Sequence, residues 1–237
     1  MQKIHSHVNR IDKKRNETDQ RILEAAKEVF AESGFSGARV DEIASRAKIN
    51  KATIYYHIGD KKKLYEEVLH RVIGNIAEKI TVILDENGSP EEKLRLYIRT
   101  VSKTMDSNPE MAPIIMREIA SGANNLPEVI PEDLLRIVGL LSRILQEGKD
   151  EGIFTEVSPL VIHLMVIGVL LFYKAGAKIH DTNVTLAGIF NIDDFKKPAE
   201  IILEIERLIL SAVTGRPESS PAHNTRNTRK KGALCEE

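Results

Sequence analysis

The chain has 237 residues, a net charge of −1, 42% hydrophobic and 29% charged residues, enough apolar material for one large domain or two small ones in an ordinary soluble balance. A single cysteine, Cys235, excludes an internal disulfide framework and points to a reducing compartment. No signal peptide is visible, and the longest apolar run, Pro159 to Phe172, is broken by His163 and falls short of the roughly 20 residues of a membrane span, so a cytoplasmic chain with no membrane partner is expected.

The small net charge hides an asymmetry. Residues 1–63 carry 14 Lys+Arg against 9 Asp+Glu, a net of +5, whereas residues 64–215 carry 15 against 23, a net of −8. A basic front on an acidic body suits a chain whose first part meets a polyanion. Residues 1–16 hold Lys3, Arg10, Lys13, Lys14 and Arg15 with few apolar residues, and read as a flexible basic arm. A helix is expected from about Thr18 to Ser33, with Ile22, Ala25, Ala26, Val29 and Phe30 on its apolar face and Gly34 as its stop. A short helix follows from about Val40 to Lys48, carried by the stripe Val40, Ile43, Ala44 and Ala47; Arg39, at its N-cap position, is a poor cap.

Lys48, Ile49 and Asn50 then make a turn, and the Asn50 side chain can accept from the open amides of the helix that it starts, Lys51 to His57. That helix offers Lys51, Thr53, Tyr55, Tyr56 and His57, while only Ala52 and Ile54 are plainly apolar. So short a helix is not stable alone. With little to bury and many hydrogen-bonding tips, it is built for presentation, as the second helix of a helix-turn-helix is presented to a DNA major groove. After Ile58 and Gly59, Asp60 caps a long helix from Lys61 to about Asp85, in which Leu64, Val68, Leu69, Val72, Ile76, Ile80 and Ile83 keep a 3–4 spacing. Lys61, Lys62 and Lys63 oppose the helix dipole at its start, a cost that a bound phosphate would offset.

The span from Thr18 to about Val68 resembles the DNA-binding domain of the TetR family of bacterial transcriptional regulators. The residues that carry the resemblance are Ile22-Leu23-x-Ala25-Ala26, Phe30, Gly34-Phe35, Val40, Ile43-Ala44, Ala47, the run Lys51 to His57, Lys61 and Leu64. It implies that Thr53, Tyr55 and His57 touch bases and phosphates, that Lys51 and Ala52 lie nearest the groove floor, that Tyr56 either docks the helix or meets DNA, and that Lys61 binds a phosphate. Arg39 stands where the family has a capping Ser or Thr; it can make a phosphate contact but not the cap. Asn50 replaces a common Ser and serves equally as a cap, and Ile58 replaces a common Phe.

Beyond Asp85 the pattern stays helical. Ser89, Pro90 and Glu92 spell a capping box, followed by the stripe Leu94, Tyr97, Ile98 and Val101. Asn108-Pro109 opens a helix that Gly122 ends, residues 124–131 read as loop or irregular helix, and Leu134 to about Lys149 is amphipathic. Ser158-Pro159 opens a helix apolar almost all round, residues 183–195 read as a loop, and a last helix runs from about Lys196 to Thr214. The expected fold is all-α, about nine helices: a helix-turn-helix domain over 17–63, a helical ligand-binding and dimerisation domain over 64–215, and a disordered tail over 216–237.

A helix that is apolar on every face needs neighbours on every face. In the TetR family the last two long helices form a four-helix bundle across a two-fold axis, so the resemblance implies a homodimer through Leu160, Leu164, Gly168, Leu171, Ala175, Ile202, Ile205 and Ile209. It also implies a small-molecule effector pocket in the body, for which Met105, Met111, Met116, Phe154, His163, Met165 and Phe172 are adaptable, aromatic or polar candidates. The seven histidines have no ligand spacing, and no catalytic set, phosphate-cradling loop or cofactor motif appears. The sequence thus reads as a DNA-binding regulator, not an enzyme: a repressor released from a palindromic operator by an apolar ligand. A ligand-independent regulator or activator is the alternative, and a helical enzyme or adaptor a more distant one.

Overall fold

A computed structural model describes residues 2–85, 88–180 and 198–215; the side chains of residues 2–15, 84–85, 175–180 and 198 lie outside the description. Among the described residues there are nine helices and no strand: α1 Gln2–Gly37, α2 Val40–Arg46, α3 Lys51–His57, α4 Lys61–Asp85, α5 Pro90–Asp106, α6 Met111–Ala120, α7 Val129–Asp150, α8 Pro159–His180 and α9 Pro198–Thr214. The loop expected over 183–195 and the tail from 216 lie outside the described residues.

Two apolar cores share α4, and α6 and α7 also contribute to both. The first gathers Ile22, Ala26, Val29 and Phe30 of α1, Ile43 of α2, Ile54 of α3 and Leu64, Tyr65, Val68 and Leu69 of α4, with Met111 and Ile114 of α6. The second gathers Ile76, Ala77 and Ile80 of α4 with the inner faces of α5, α7, α8 and α9. The α4 stripe passes from the first core to the second between Val72 and Ile76, and its 3–4 apolar spacing is continuous across both.

Three local differences from the sequence expectation have physical causes. α1 begins at Gln2, so the stretch expected as a flexible arm is helical: no Pro or Gly interrupts residues 2–33, and lengthening a helix already nucleated costs little. Gly34 (φ 67, ψ 176) still breaks it where the stop is expected, and only a last turn continues to Gly37. α7 starts at Val129, with Pro131 in its first turn, where a proline removes no needed amide donor. Asn108 closes α5 instead of opening α6: its Nδ2 donates to Thr104 O at 2.8 Å, and α6 has Glu110 at its N-cap with no side-chain cap.

The body is held by buried polar ties as well as by its core. Glu206 of α9, 0% exposed, accepts from Arg99 Nε (2.6 Å), Arg99 Nη2 (2.9 Å) and Arg95 Nη1 (3.3 Å) of α5. Lys93 Nζ of α5 donates to Glu147 of α7 at 2.6 Å. The capping box is formed: Ser89 Oγ accepts from Glu92 N, and Glu92 Oε2 from Ser89 N. Gly148 is required by close approach, because a Cβ there would stand 2.1 Å from the Phe154 ring.

Candidate nucleic-acid interface

Of the seven residues of α3, only Ile54 is buried. That single anchor fixes the helix to the first core and turns the remaining positions outward or sideways. Asn50 caps the helix as its sequence position requires, with Oδ1 accepting from Ala52 N at 2.9 Å. The turn before it holds Lys48 in the left-handed region (φ 54), and Arg21 of α1 secures that turn by donating from Nη2 to Ala47 O and Lys48 O. Arg46 of α2 is ringed by Glu28 and Glu32 of α1 and Glu42 of its own helix, so α2 is locked on α1 by charge as well as packing. Three aromatic rings cluster where α1 meets α4, with Tyr65 edge-on to Phe30 at 4.7 Å and tilted against Phe35 at 5.0 Å.

The expected DNA-facing residues lie on α3 and at the starts of α2, α3 and α4. Ala52, Tyr55 and Tyr56 are exposed, Tyr56 at 78%, so Tyr56 is presented and not packed into the core. Thr53 is half-buried, and Lys51 Nζ pairs with Asp41 Oδ2 at 3.0 Å. Arg39 is exposed at the N-cap position of α2 and makes no cap bond, as its chemistry requires. Lys61 Nζ donates to Ser36 O at 3.3 Å and stands 4.8 Å from the centre of the Phe35 ring. The His57 side chain is only 13% exposed, and its Nδ1 donates to Asp19 Oδ1 of α1 at 2.6 Å. Sequence reasoning missed Asp19 and Arg21, whose partners lie 26 to 38 residues away and leave no local pattern, and Arg46, which has an i,i+4 partner in Glu42 as well as partners on α1.

The body residues named from sequence are not all brought together. Met105 and Phe154 are buried in the second core, and Met116 packs against it. His163 of α8 is buried and hydrogen-bonded through Nδ1 to Tyr97 Oη of α5 at 2.6 Å, so the most suggestive polar residue of the apolar run has a protein partner. Burial raises the Tyr97 pKa and lowers that of His163, leaving both neutral. Met111 belongs to the first core, and Met165 and Phe172 are exposed on the outer face of α8. A cleft of about 580 Å³ lies instead against α1, α4 and α7, lined by residues such as Lys27, His70, Arg71 and Arg136 and by none of these seven.

That outer face is apolar: Leu160, Val161, Leu164, Met165, Val169 and Phe172 are each at least 43% exposed, and space is open beside Gly168. Leu203 and Leu208 of α9 are exposed too. Of the expected dimer residues, Leu160, Leu164 and Gly168 lie on this side and Ile202 is half-buried, whereas Leu171, Ile205 and Ile209 are spent in the chain's own core. The Ala175 side chain lies outside the description.

Body and head are also bolted together. Arg117 of α6 donates to Ala31 O (3.2 Å) and Glu32 O (2.9 Å) at the end of α1, and the buried Tyr65 hydroxyl of α4 donates to Glu118 of α6 at 2.9 Å.

A compact helical head that presents a short, capped, barely buried helix, on a larger helical body, defines a DNA-binding transcriptional regulator of the helix-turn-helix class. Comparison with known proteins agrees. Residues 22–68 match the family described as bacterial regulatory proteins, tetR family, and residues 90–193 match the tetracyclin repressor-like C-terminal domain. The chain is 28% identical over 165 residues to the HTH-type transcriptional repressor NicS of Pseudomonas putida, covering 67% of this chain and 76% of that one. It is 30% identical over 145 residues to the repressor SCO4008 of Streptomyces coelicolor, covering 60% and 70%. Among solved structures, a linker mutant of HlyIIR superposes with a TM-score of 0.64 at 27% identity, over 86% of this chain and 100% of that one. The FadR regulator of Bacillus subtilis, solved with stearoyl-CoA, shares the fold at 22% identity with a TM-score of 0.64, over 82% and 98%. The chain belongs to the TetR family.

Proposed function

We propose that the protein is a homodimeric repressor that binds a palindromic operator through α3 of each protomer and is released by an apolar small molecule. The observation that carries this is the state of α3: one buried anchor, a formed N-cap and exposed Ala52, Tyr55 and Tyr56. The bases are read by Lys51, Ala52, Thr53 and Tyr55, with Tyr56 and His57 beside them, and Arg39, Asn50 and Lys61 hold the DNA backbone. An apolar face on α8 of this extent is matched most simply by a second copy of itself, and two-fold symmetry then sets two α3 helices toward two half-sites.

The effector enters the body near the Tyr97–His163 pair, with Met105, Met116 and Phe154 yielding around it. A curated relative 28% identical over 131 residues is named a fatty acid metabolism regulator, which favours an apolar or acyl effector over a polar one. Release requires that the effector prefer a state with the heads differently spaced, and the ties from α6 to α1 and α4 are placed to carry that change.

The test is selection of duplexes from a random library by the purified protein, followed by titration with acyl compounds of increasing length. A palindromic consensus and displacement by one ligand class support the proposal. Enrichment without any displacement favours the ligand-independent regulator instead.

A further inference from the structure

We infer that the cleft between α1, α4 and α7 binds a small organic anion, and that this ligand adjusts DNA binding by linking the head to the body. The site is distinct from the apolar effector site near Tyr97 and His163; only its effect on DNA rests on α3 being the reading helix. At about 580 Å³ the cleft lies within the roughly 300–1,000 Å³ of small-molecule sites. It is backed by the buried Leu23, Val68 and Val72, and the exposed amides of Gln20 and Asn75 also line it. Three cations come to it from three helices: Lys27 of α1, Arg71 of α4 and Arg136 of α7. They outnumber the carboxylates on its walls, Glu24 and Glu78, although residues 64–215 as a whole are net acidic.

Each cation has donors left over. The Lys27 side chain is only 12% exposed, and of its three ammonium hydrogens Glu24 Oε1 (2.7 Å) and Asn108 Oδ1 (3.3 Å) engage two. Arg71 commits Nε to Glu67 at 2.8 Å and keeps its Nη groups. Among the described residues, no hydrogen bond or ion pair holds Arg136. The wall between α4 and α7 is already formed. His70 Nδ1 is hydrogen-bonded to the buried Asp133 Oδ2 at 2.6 Å, and the ring lies against Gly74, where a Cβ would stand 3.3 Å from His70 Cε1. A glycine weakens a helix interior, and here it admits the ring. A ligand that fills the cleft touches α1 of the head and α7 of the body at once. Its affinity then depends on how the two stand apart, and operator and ligand alter each other's binding by the same factor.

The probes are benzoate, glutarate and phenyl phosphate, with benzamide as the neutral counterpart. Each is titrated calorimetrically into the native chain without DNA, at ionic strength matched with chloride. At least one anion is expected to bind saturably, one per chain, where benzamide does not; preference for the carboxylates or for the phosphate tells an organic acid from a phosphate ester. Arg136→Gln and Arg71→Gln, both at exposed positions, should each weaken that binding about tenfold. Lys61→Ala, on the head, should leave it unchanged. No saturable binding by any anion, full affinity in both glutamine variants, or loss of binding in Lys61→Ala overturns the site. Anisotropy on a library-selected duplex then tests the coupling: the saturating anion is expected to shift the operator affinity of the native chain and not that of Arg136→Gln. Binding with no shift, or an equal shift in both, overturns the coupling and leaves the site. Failure to select any duplex removes the DNA-reading role of α3, whereas the calorimetry still decides the site.

Discussion

Replacing Lys61 by alanine separates the electrostatic part of DNA binding from the part that reads bases. In the free protein the Lys61 ammonium makes two modest contacts, a 3.3 Å hydrogen bond to Ser36 O and a 4.8 Å approach to the Phe35 ring. An exposed cation–π contact contributes about 0.5–1 kcal/mol, and one such hydrogen bond about 1 kcal/mol. Lys61→Ala should therefore cost folding no more than about 2 kcal/mol, a modest shift in the melting temperature. On DNA its effect has a distinct signature. Each neutralised phosphate contributes about 0.9 to the slope of log K against log salt, so two heads lose about 1.8 together. Between about 50 and about 200 mM salt, the change in affinity narrows by roughly tenfold. The loss should be nearly equal on selected and on random duplexes, because phosphates carry no sequence. Anisotropy titrations at four or more salt concentrations measure this. An unchanged slope in a well-folded variant would refute the assignment of Lys61 to the backbone.

Other outcomes follow from the same structure. Asn50→Ala removes the cap of a helix with one buried anchor and should cost about 1 kcal/mol of stability with a larger loss of DNA affinity, while Asn50→Ser should retain most of both; thermal melts and anisotropy report the two. Tyr97→Phe leaves His163 Nδ1 buried without its partner, at a cost of about 1–3 kcal/mol by denaturant titration. Burial lowers the His163 pKa, so its contribution to stability is complete above the unfolded value of about 6.5 and is lost as pH falls through the folded one. Melts between about pH 7.5 and about pH 5 should show that decline, and His163→Gln should flatten it. Leu164→Glu or Val169→Glu on the exposed face of α8 should yield folded monomers in sedimentation and weaken operator binding sharply.

Much of this architecture is visible in the residues themselves. The capping box at Ser89 and Glu92, the Asn50 cap, the Gly34 break and the lack of a cap at Arg39 are local chemistry, and each is found where local chemistry puts it. The α4 stripe is equally plain, yet the sequence does not say where one core ends and the next begins, because an unbroken spacing serves both. What escapes is long-range. Arg21 reaches a turn 26 residues on, Asp19 reaches His57 across 38, and Glu206 is neutralised by two arginines more than 100 residues earlier; such partners have no period to betray them. The apolar run of α8 hides a division of labour for the same reason. Composition alone does not separate Ile162 and Val166, which fill the chain's own core, from Leu164, Met165 and Phe172, which stay outside it.

The central claim is that α3 reads DNA in pairs. Duplex selection with the native protein, repeated with Tyr55→Phe, tests it most directly. The expected result is a palindrome whose half-sites lie about one helical turn apart, with the preferred base changed at the same position in both halves by the Tyr55 substitution. A single unpaired half-site, or an identical consensus from both proteins, would contradict it.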